Sequence, residues 1–227
     1  MDSDPDAGRY FAAWFGELRS LRRDLRSARF DPDRARLAPL VDRALAHYDA
    51  YYRARSELAR SDPVGAFTTP WATPVERGVA FWVAGFRPTT FVQLLYTESG
   101  RRFEARLEDF LLGAGARSGD LGDLSPVRVD RIDELHRRTV REEDEIGEEM
   151  DRIQEGEGLD VEGSVDRIER VMGRADALRM RTLGGLVGLL NPVQAAELLV
   201  ALADLEIGLR EYGLEHEHEH ERVPDEC

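Results

Sequence analysis

The stretch from Asn191 to Tyr212, NPVQAAELLVALADLEIGLREY, begins with a helix-start signal and continues with a helical repeat. Asn191 can cap the first turn, proline is favoured at the first helical position, and Gln194 can return a hydrogen bond to the capping residue. Apolar residues then recur at alternating spacings of four and three, at Leu198, Leu202, Leu205, Leu209 and Tyr212. This period predicts one apolar face on a long α-helix.

Similar start signals precede four other segments. Each pairs a capping side chain with a proline, at Asp31–Pro32, Asp62–Pro63, Thr73–Pro74 and Ser125–Pro126. Thr73 and Glu76 have the spacing of a capping box. No period-two run of β-branched residues indicates a strand. The sequence therefore predicts an all-α fold, a bundle of long antiparallel helices with several short helices in the N-terminal half.

Glycine-rich and polar stretches predict the organisation of the chain. We expect a helical domain over residues 9–213, with an N-terminal half at 9–112, a mobile glycine-rich loop at 113–122 and C-terminal helices at 124–213. The loop does not have the glycine spacing of a dinucleotide fingerprint. Residues 214–227 alternate Glu and His, which predicts a disordered acidic tail.

Composition excludes several classes of protein. The 227 residues include 45 acidic and 31 basic side chains, which gives a formal net charge of −14. This charge disfavours direct binding to DNA, because phosphate contacts need a cationic surface. The single cysteine, Cys227, supports no disulfide framework. No apolar run could span a membrane, and the acidic N-terminus lacks a secretory signal, so we expect a nuclear or cytoplasmic protein that is not secreted.

Two charged segments stand out. Residues 142–162 contain eleven acidic side chains and one arginine, and they form either a solvated helix face or a negatively charged docking surface. The first helix carries a cationic series that we expect to pair with this acidic face: Arg19, Arg22, Arg23, Arg26 and Arg29.

No pattern indicates a catalytic or metal centre. The chain lacks the G-x-S-x-G motif that presents a nucleophile, so we predict no catalytic residue and no enzyme. His216, His218 and His220 could chelate a divalent ion. They lie in a terminal acidic segment without a second shell of hydrogen bonds to orient the rings, so we predict no metal site.

The most distinctive segment runs from Pro70 to Thr89. It resembles the Delay of Germination domain of plant seed-dormancy proteins, which also forms the C-terminal half of TGA-type bZIP transcription factors. Other parts of the resemblance are the middle helix (Ile132 to Leu135, then Glu142 and Glu143) and two later segments, Ala175 to Leu183 and Leu189 to Ala195. The candidate residues for a fold signature or partner site are Trp71, Thr73, Pro74, Glu76, Arg77, Trp82, Gly85, Phe86, Arg87 and Pro88.

The residues of this segment also suggest physical roles. We expect Trp71 and Trp82 to anchor the core of the N-terminal half. Gly85 would permit either a close approach or a positive φ. Arg77 and Arg87 are expected to form at least half-buried pairs with carboxylates such as Glu76. A folding motif without a ligand, and a pocket for a partner or ligand, both fit this pattern.

The resemblance implies regulation through protein contacts. The resembling domain begins about ten residues from Met1, which leaves no room for a bZIP basic region, so contact with DNA would require a bZIP partner. The implied partners are a phosphatase, a bZIP factor or a transcriptional coactivator, and a homo- or heterodimer fits as well. The resemblance implies that the haem-ligating positions of the dormancy proteins correspond here to Glu206 and Arg210. Neither side chain is a usual axial ligand of haem, so we expect no cofactor. A sensor of haem or a small hydrophobic ligand is the remaining alternative.

Overall fold

A computed structural model of the chain describes residues 5–30, 34–79, 82–107, 111–112, 119–156 and 161–222. These ranges contain two short 3-10 helices, Arg34–Arg36 and Leu121–Asp123. Within them the fold is all-α, as predicted, and the only strand-like feature is one bridge between Trp82 and Gly85. The α-helices in chain order are α1 (Pro5–Ala28), α2 (Leu37–Ser61), α3 (Pro63–Thr68), α4 (Pro74–Val79), α5 (Thr89–Ala105), α6 (Pro126–Gln154), α7 (Val161–Leu189) and α8 (Pro192–Arg222).

The predicted capping residues begin their helices. Asp62 accepts a hydrogen bond from the Gly65 amide at 2.8 Å, and Ser125 accepts one from the amide three residues on. The Asn191 side-chain oxygen caps α8 by accepting from the Gln194 amide at 3.0 Å, and the Gln194 side-chain oxygen accepts from the Asn191 amide at 3.2 Å. The predicted cap at Asp31 lies outside the described residues. These bonds are local, so the sequence alone predicts them.

The larger core cluster joins the first two helices, α5, parts of α6 and α7, and the first four turns of α8. Because α8 contacts α1, α2, α4 and α5, its buried surface is broader than one stripe and includes Leu199, Ala203 and Ile207. Tyr212 is 52% exposed, so its predicted place on the buried face is wrong. The core cluster on α8 ends at Ile207, so Tyr212 lies beyond it.

The smaller core cluster lies at the other end of the bundle. Ile146 and Met150 of α6 pack there against Val171 and Leu178 of α7. Trp82 belongs to this cluster and is 8% exposed. Ala59 of α2 and Ala66 of α3 belong to the same cluster. Trp82 therefore lies in a core that the N-terminal half shares with the C-terminal helices, and not in a core of the N-terminal half alone.

The arginines of α1 pair with α8 instead of the acidic face of α6. Arg22 and Arg26 bind Asp204 at 3.2 and 2.6 Å, and Arg19 binds Glu211 at 3.2 Å. The expected pairing is wrong because α1 packs against α8. Most of these pairs are exposed to solvent, so each contributes about 0.2–1 kcal/mol.

The end of the glycine-rich loop is fixed to the bundle. The buried Leu121 donates its amide to Glu197 at 2.8 Å, and Asn191 donates its side-chain amide to the Gly119 carbonyl at 2.9 Å. Residues 113–118 lie outside the described part of the chain, so the predicted mobility there stays a prediction.

The last helix is longer than the sequence predicted. It continues to Arg222, so residues 214–222 are helical and not disordered. Tyr212 and His216, one turn apart, contact each other with ring centroids 3.9 Å apart, and this contact supports the extension. Residues 223–227 lie outside the described residues. No described helix is long and apolar enough to cross a membrane.

Candidate functional site

The candidate site is built on the segment between α3 and α5. The first feature that holds this segment in place is the predicted capping box. The Glu76 carboxylate accepts a hydrogen bond from the Thr73 amide at 2.7 Å, and the Thr73 hydroxyl accepts one from the Glu76 amide at 3.2 Å. Pro74 occupies the first position of α4. The box is tied to the last helix, because Arg210 donates to Glu76 at 3.3 Å and to the Trp71 carbonyl at 3.1 Å.

Trp71 joins this box to the first two helices. Its ring stacks on Phe11 of α1 with centroids 4.0 Å apart, and its indole nitrogen lies 3.4 Å from the Tyr51 hydroxyl of α2. Trp71 therefore supports the N-terminal half, in agreement with its predicted structural role.

The second feature that holds this segment in place is a tight turn at residues 82–85. The Gly85 amide donates to the Trp82 carbonyl at 3.1 Å, and Val83 and Ala84 between them have positive φ angles of 44° and 57°. A β-branched residue such as Val83 is uncommon in this left-handed conformation. The surrounding structure must therefore hold the turn in place.

Two buried arginines hold the turn by its carbonyl oxygens. Arg179 of α7 donates to the carbonyls of Trp82, Val83 and Phe86 at 2.6, 3.0 and 2.8 Å. Arg55 of α2 donates to the Ala84 carbonyl. Both guanidinium groups are at most 1% exposed. Four carbonyls of the segment thus point inward and are satisfied by cations.

Asp176 of α7 connects the two arginines. Its carboxylate accepts from the Arg55 Nε at 3.0 Å and from Arg179 at 2.5 Å. Burial lowers the pKa of Arg179, and the nearby Asp176 carboxylate opposes that effect. We name Arg55, Asp176 and Arg179 the arginine clamp. It replaces the water that the turn carbonyls would otherwise bind.

Gly85 makes this clamp possible. Its φ is not positive, but a Cβ atom at this position would lie 3.0 Å from the Arg179 guanidinium carbon. The predicted close approach is therefore confirmed, and the approaching group is a buried arginine.

The two signature arginines are not buried. The Arg87 side chain is 56% exposed and lies 3.8 Å from Glu143, while Arg77 is exposed and donates to the Ala72 carbonyl. Glu76 is therefore wrong as their expected partner, because Arg210 occupies that place, whereas Arg87 does lie beside a buried carboxylate, Glu143. Phe86 is half-buried, and Pro88 lies just before α5.

Glu143 of α6 fixes the start of α5. The carboxylate is 3% exposed and accepts from the Thr89 amide at 2.6 Å and from the Thr89 hydroxyl at 3.0 Å. Burial raises the pKa of Glu143, and the two hydrogen bonds oppose that effect. This residue belongs to the acidic run, so one member of that run has an internal structural role.

A groove of about 980 Å³ separates the turn from α6. One wall contains Arg77, Val79, Phe86 and Arg87, and the other is the acidic half of α6. The groove-facing residues of α6 include a carboxylate stripe, spaced four and three apart: Asp144, Glu148 and Asp151.

A smaller cavity of about 90 Å³ lies on the other side of the turn, between α1, α2 and α8. Its lining is aromatic, with Trp14, Phe15 and Tyr48 among the contributors. Tyr48 donates its hydroxyl to Glu206 at 2.9 Å, and burial raises the pKa of Glu206 to about 8. This carboxyl is therefore largely protonated at neutral pH and can donate a hydrogen bond as well as accept one.

Glu206 and Arg210, the positions that the resemblance assigns to haem ligands, both have partners inside the bundle. Arg210 also lies with its guanidinium carbon 4.4 Å from the Phe15 ring centroid. Within the described residues, no three His, Cys, Asp or Glu side chains converge as metal ligands. The side chains of His218 and His220 are not part of that description.

Sequence reasoning missed the central residues of the site. It included Asp176 and Arg179 in the family resemblance without giving them a role, and it did not single out Arg55. A signal was present, since Arg55 follows Tyr48 and Tyr52 at spacings of four and three, which places the three side chains on one face of α2. An arginine at such a position must be paired when it is buried.

The helical bundle and the turn held between α4 and α5 define an all-α protein of the Delay of Germination type. A family model described as DOG1, seed dormancy control, matches residues 17–97. Protein DOG1-like 3 of Arabidopsis thaliana is 30% identical over 204 residues, which cover 78% of this chain and 72% of that protein. Protein DOG1-like 1 of the same plant is 29% identical over 228 residues, covering 83% and 81%. The chain belongs to the DOG1 family.

The same comparison connects the chain to transcription factors. Transcription factor TGA2.3 of Oryza sativa subsp. japonica is 23% identical over 224 residues, covering 88% of this chain and 61% of that protein. Family membership and this relation support a plant regulatory role.

Proposed function

We propose that the protein is an adaptor that regulates transcription or hormone signalling by binding other proteins, and that it has no catalytic activity of its own. The single observation that carries the proposal is the arginine clamp. It satisfies the turn carbonyls from inside the bundle, so the outer side of the same segment can present Arg77, Val79 and Arg87 on a rigid base. Rigid presentation lowers the entropy cost of binding a partner.

The proposed partners are a phosphatase, a bZIP factor or a transcriptional coactivator. The relation to TGA2.3, a transcription factor, supports a nuclear setting for at least part of this activity. The large exposed groove next to the turn offers a surface on which such a partner could bind.

The test is an affinity capture from plant nuclear and cytosolic extracts with three baits. These are the wild type, Arg87→Ala, and the matched control Arg53→Ala, whose side chain is 77% exposed on α2. We expect the wild type and the control to capture a phosphatase, a bZIP factor or a coactivator, and Arg87→Ala to capture less. Circular dichroism must show that all three baits are folded. Failure of the folded wild type to capture any of these classes would contradict the adaptor proposal.

A second candidate is a transcription regulator that reaches DNA through a TGA-type bZIP partner. The relation to TGA2.3 over 88% of the chain favours it. This candidate predicts a supershifted DNA complex when the protein is added to a bZIP factor on its site. It also predicts no shift with the protein alone. An unchanged bZIP–DNA band would exclude it.

A third candidate is a sensor of haem or a small hydrophobic ligand, and the aromatic cavity beside Glu206 is the observation that favours it. Its volume of about 90 Å³ is below the roughly 300–1,000 Å³ of most ligand pockets, so we rank this candidate last. Native mass spectrometry of the purified protein tests it, because a bound ligand would add mass and haem would also absorb visible light.

A further inference from the structure

The groove beside α6 has one acidic wall whose charges have no partner among the described residues. Asp144, Glu148 and Asp151 are all exposed, and none forms an ion pair there. By contrast, the neighbouring Glu142 and Glu149 are bound by arginines of α7. The paired acids face α7, while the carboxylate stripe faces the groove.

A second and independent feature lies in the groove. Trp82 lines it, and its side-chain nitrogen is a buried donor without a hydrogen-bond partner in the described structure. This nitrogen lies 3.7 Å from where a Cβ atom of Gly147 would be, and Gly147 lines the groove between two residues of the carboxylate stripe. A buried donor without a partner destabilises the protein unless an acceptor binds it. The donor therefore points to a ligand with an acceptor.

The volume of the groove suits a short helical peptide. A cylinder as wide as an α-helix, about 10 Å, fills 980 Å³ over a length of about 12 Å, which is about eight residues. The stripe from Asp144 to Asp151 extends over about 10 Å of α6, so its length matches. Val79, Phe86 and Met150 supply apolar contacts along the groove.

The charges define the occupant. Four carboxylates and two guanidinium groups line the groove, and one of those carboxylates, Glu143, already binds Thr89. Arg77 and Arg87 lie across the groove from the stripe, so a ligand that is cationic on every side would meet repulsion there. A fitting ligand is cationic on the side that faces α6 and apolar on the side that faces the turn.

We infer that this groove binds a basic amphipathic segment of a partner protein, whose arginine or lysine side chains pair with Asp144, Glu148 and Asp151 while an acceptor of the segment binds the Trp82 indole. The inference deepens the proposed adaptor function by naming the surface and the chemistry of the partner. Helices that bind in grooves use residues at i, i+3 or i+4, and i+7, the spacing of the carboxylate stripe.

The test uses a synthetic helical peptide with arginines at i, i+4 and i+7 and leucines on the adjacent face. A second peptide with glutamates in place of the arginines is the ligand control. Binding is measured by fluorescence anisotropy to the full chain and to two triple variants. The groove variant is Asp144→Asn, Glu148→Gln and Asp151→Asn. The matched control is Asp42→Asn, Glu57→Gln and Glu104→Gln, which changes net charge equally at exposed positions outside the groove.

We expect the basic peptide to bind the wild type and the control variant similarly, and the groove variant about tenfold more weakly, as three exposed ion pairs allow. Added salt should weaken binding, because exposed charges are screened. The Trp82 indole N–H signal in a ¹⁵N NMR spectrum should shift when the peptide binds. This signal is identified as the indole signal that is missing from the spectrum of Trp82→Phe.

Equal binding by both triple variants would overturn the inference, as would an unmoved Trp82 signal with bound peptide. A concentration-dependent dimer that the groove variant loses would also overturn it, since a second copy would then be the occupant. Capture from extracts separates the two proposals. If the wild type captures a named partner but the basic peptide does not bind, the adaptor stands and the groove inference fails. If the peptide binds as expected but no partner is captured, the adaptor proposal fails.

Discussion

Replacing Arg179 with methionine tests whether the arginine clamp holds the signature turn. Methionine keeps an apolar stem of similar length and removes every donor. The Trp82 carbonyl would keep the Gly85 amide as a partner, but the Val83 and Phe86 carbonyls would lose Arg179. Two buried acceptors without partners, at about 1–3 kcal/mol each, give a loss of about 2–6 kcal/mol in the free energy of unfolding.

Breaking a buried ion pair from one side gives a consistent figure of about 3–5 kcal/mol. Urea unfolding followed by circular dichroism at 222 nm, a standard helix band, measures the loss. The matched control is Arg174→Met on the same helix, because Arg174 is 48% exposed and pairs with Glu149. We expect that control to change the free energy of unfolding by less than about 1 kcal/mol. If both variants unfold within about 1 kcal/mol of each other, the clamp does not hold the turn.

Three further predictions concern neighbouring parts of the chain. Gly85→Ala should lower the free energy of unfolding by about 1–3 kcal/mol, because the alanine Cβ would press on Arg179. The effect should be smaller when Arg179 is already methionine, and a double-mutant cycle in urea measures this difference. Glu206→Gln should remove a pH dependence of the free energy of unfolding. The pKa of Glu206 in the folded protein, about 8, lies above the ordinary 4.5. The wild type therefore has the stability contributed by the protonated Glu206 in full below about pH 4.5 and loses it as pH rises through 8. At 1.36 kcal/mol for each pKa unit, the loss is at most about 5 kcal/mol, and equal slopes of melting temperature against pH in both proteins would contradict the assignment. Deleting residues 215–227 should change the free energy of unfolding by less than about 0.5 kcal/mol, whereas a large drop in melting temperature would show that the end of α8 supports the bundle.

Helix starts were predictable from sequence because their hydrogen bonds join residues three apart. The capping box of Thr73 and Glu76, and the cap formed by Asn191 and Gln194, have the predicted partners. Tyr212 shows where this reasoning ends. A stripe defines which residues share a helix face, but the number of neighbouring helices decides how wide the buried face becomes.

The arginine clamp was not predictable because Arg55 is distant in sequence from its two partners on α7. Arg55 and Asp176 are 121 residues apart, and Arg210 and Glu76 are 134 residues apart. Sequence proximity favoured Arg77 as the partner of Glu76, but Arg210 from the last helix occupies that place. An arginine or a carboxylate in an apolar stripe signals that a buried partner exists. Only the packing of the helices identifies that partner.

In the proposed function, the inner side of the turn supports the fold and the outer side binds the partner. Inward, its carbonyls are bound by Arg55 and Arg179, which links α2 and α7 through a segment that belongs to neither helix. Outward, the same residues form one wall of the groove, facing the carboxylate stripe on α6. Since α6 packs against α7, the helix that carries Arg179 also supports the acidic wall. The clamp therefore holds the turn against the helices that carry both walls, and its hydrogen bonds to the turn carbonyls offset the cost of keeping Val83 at positive φ.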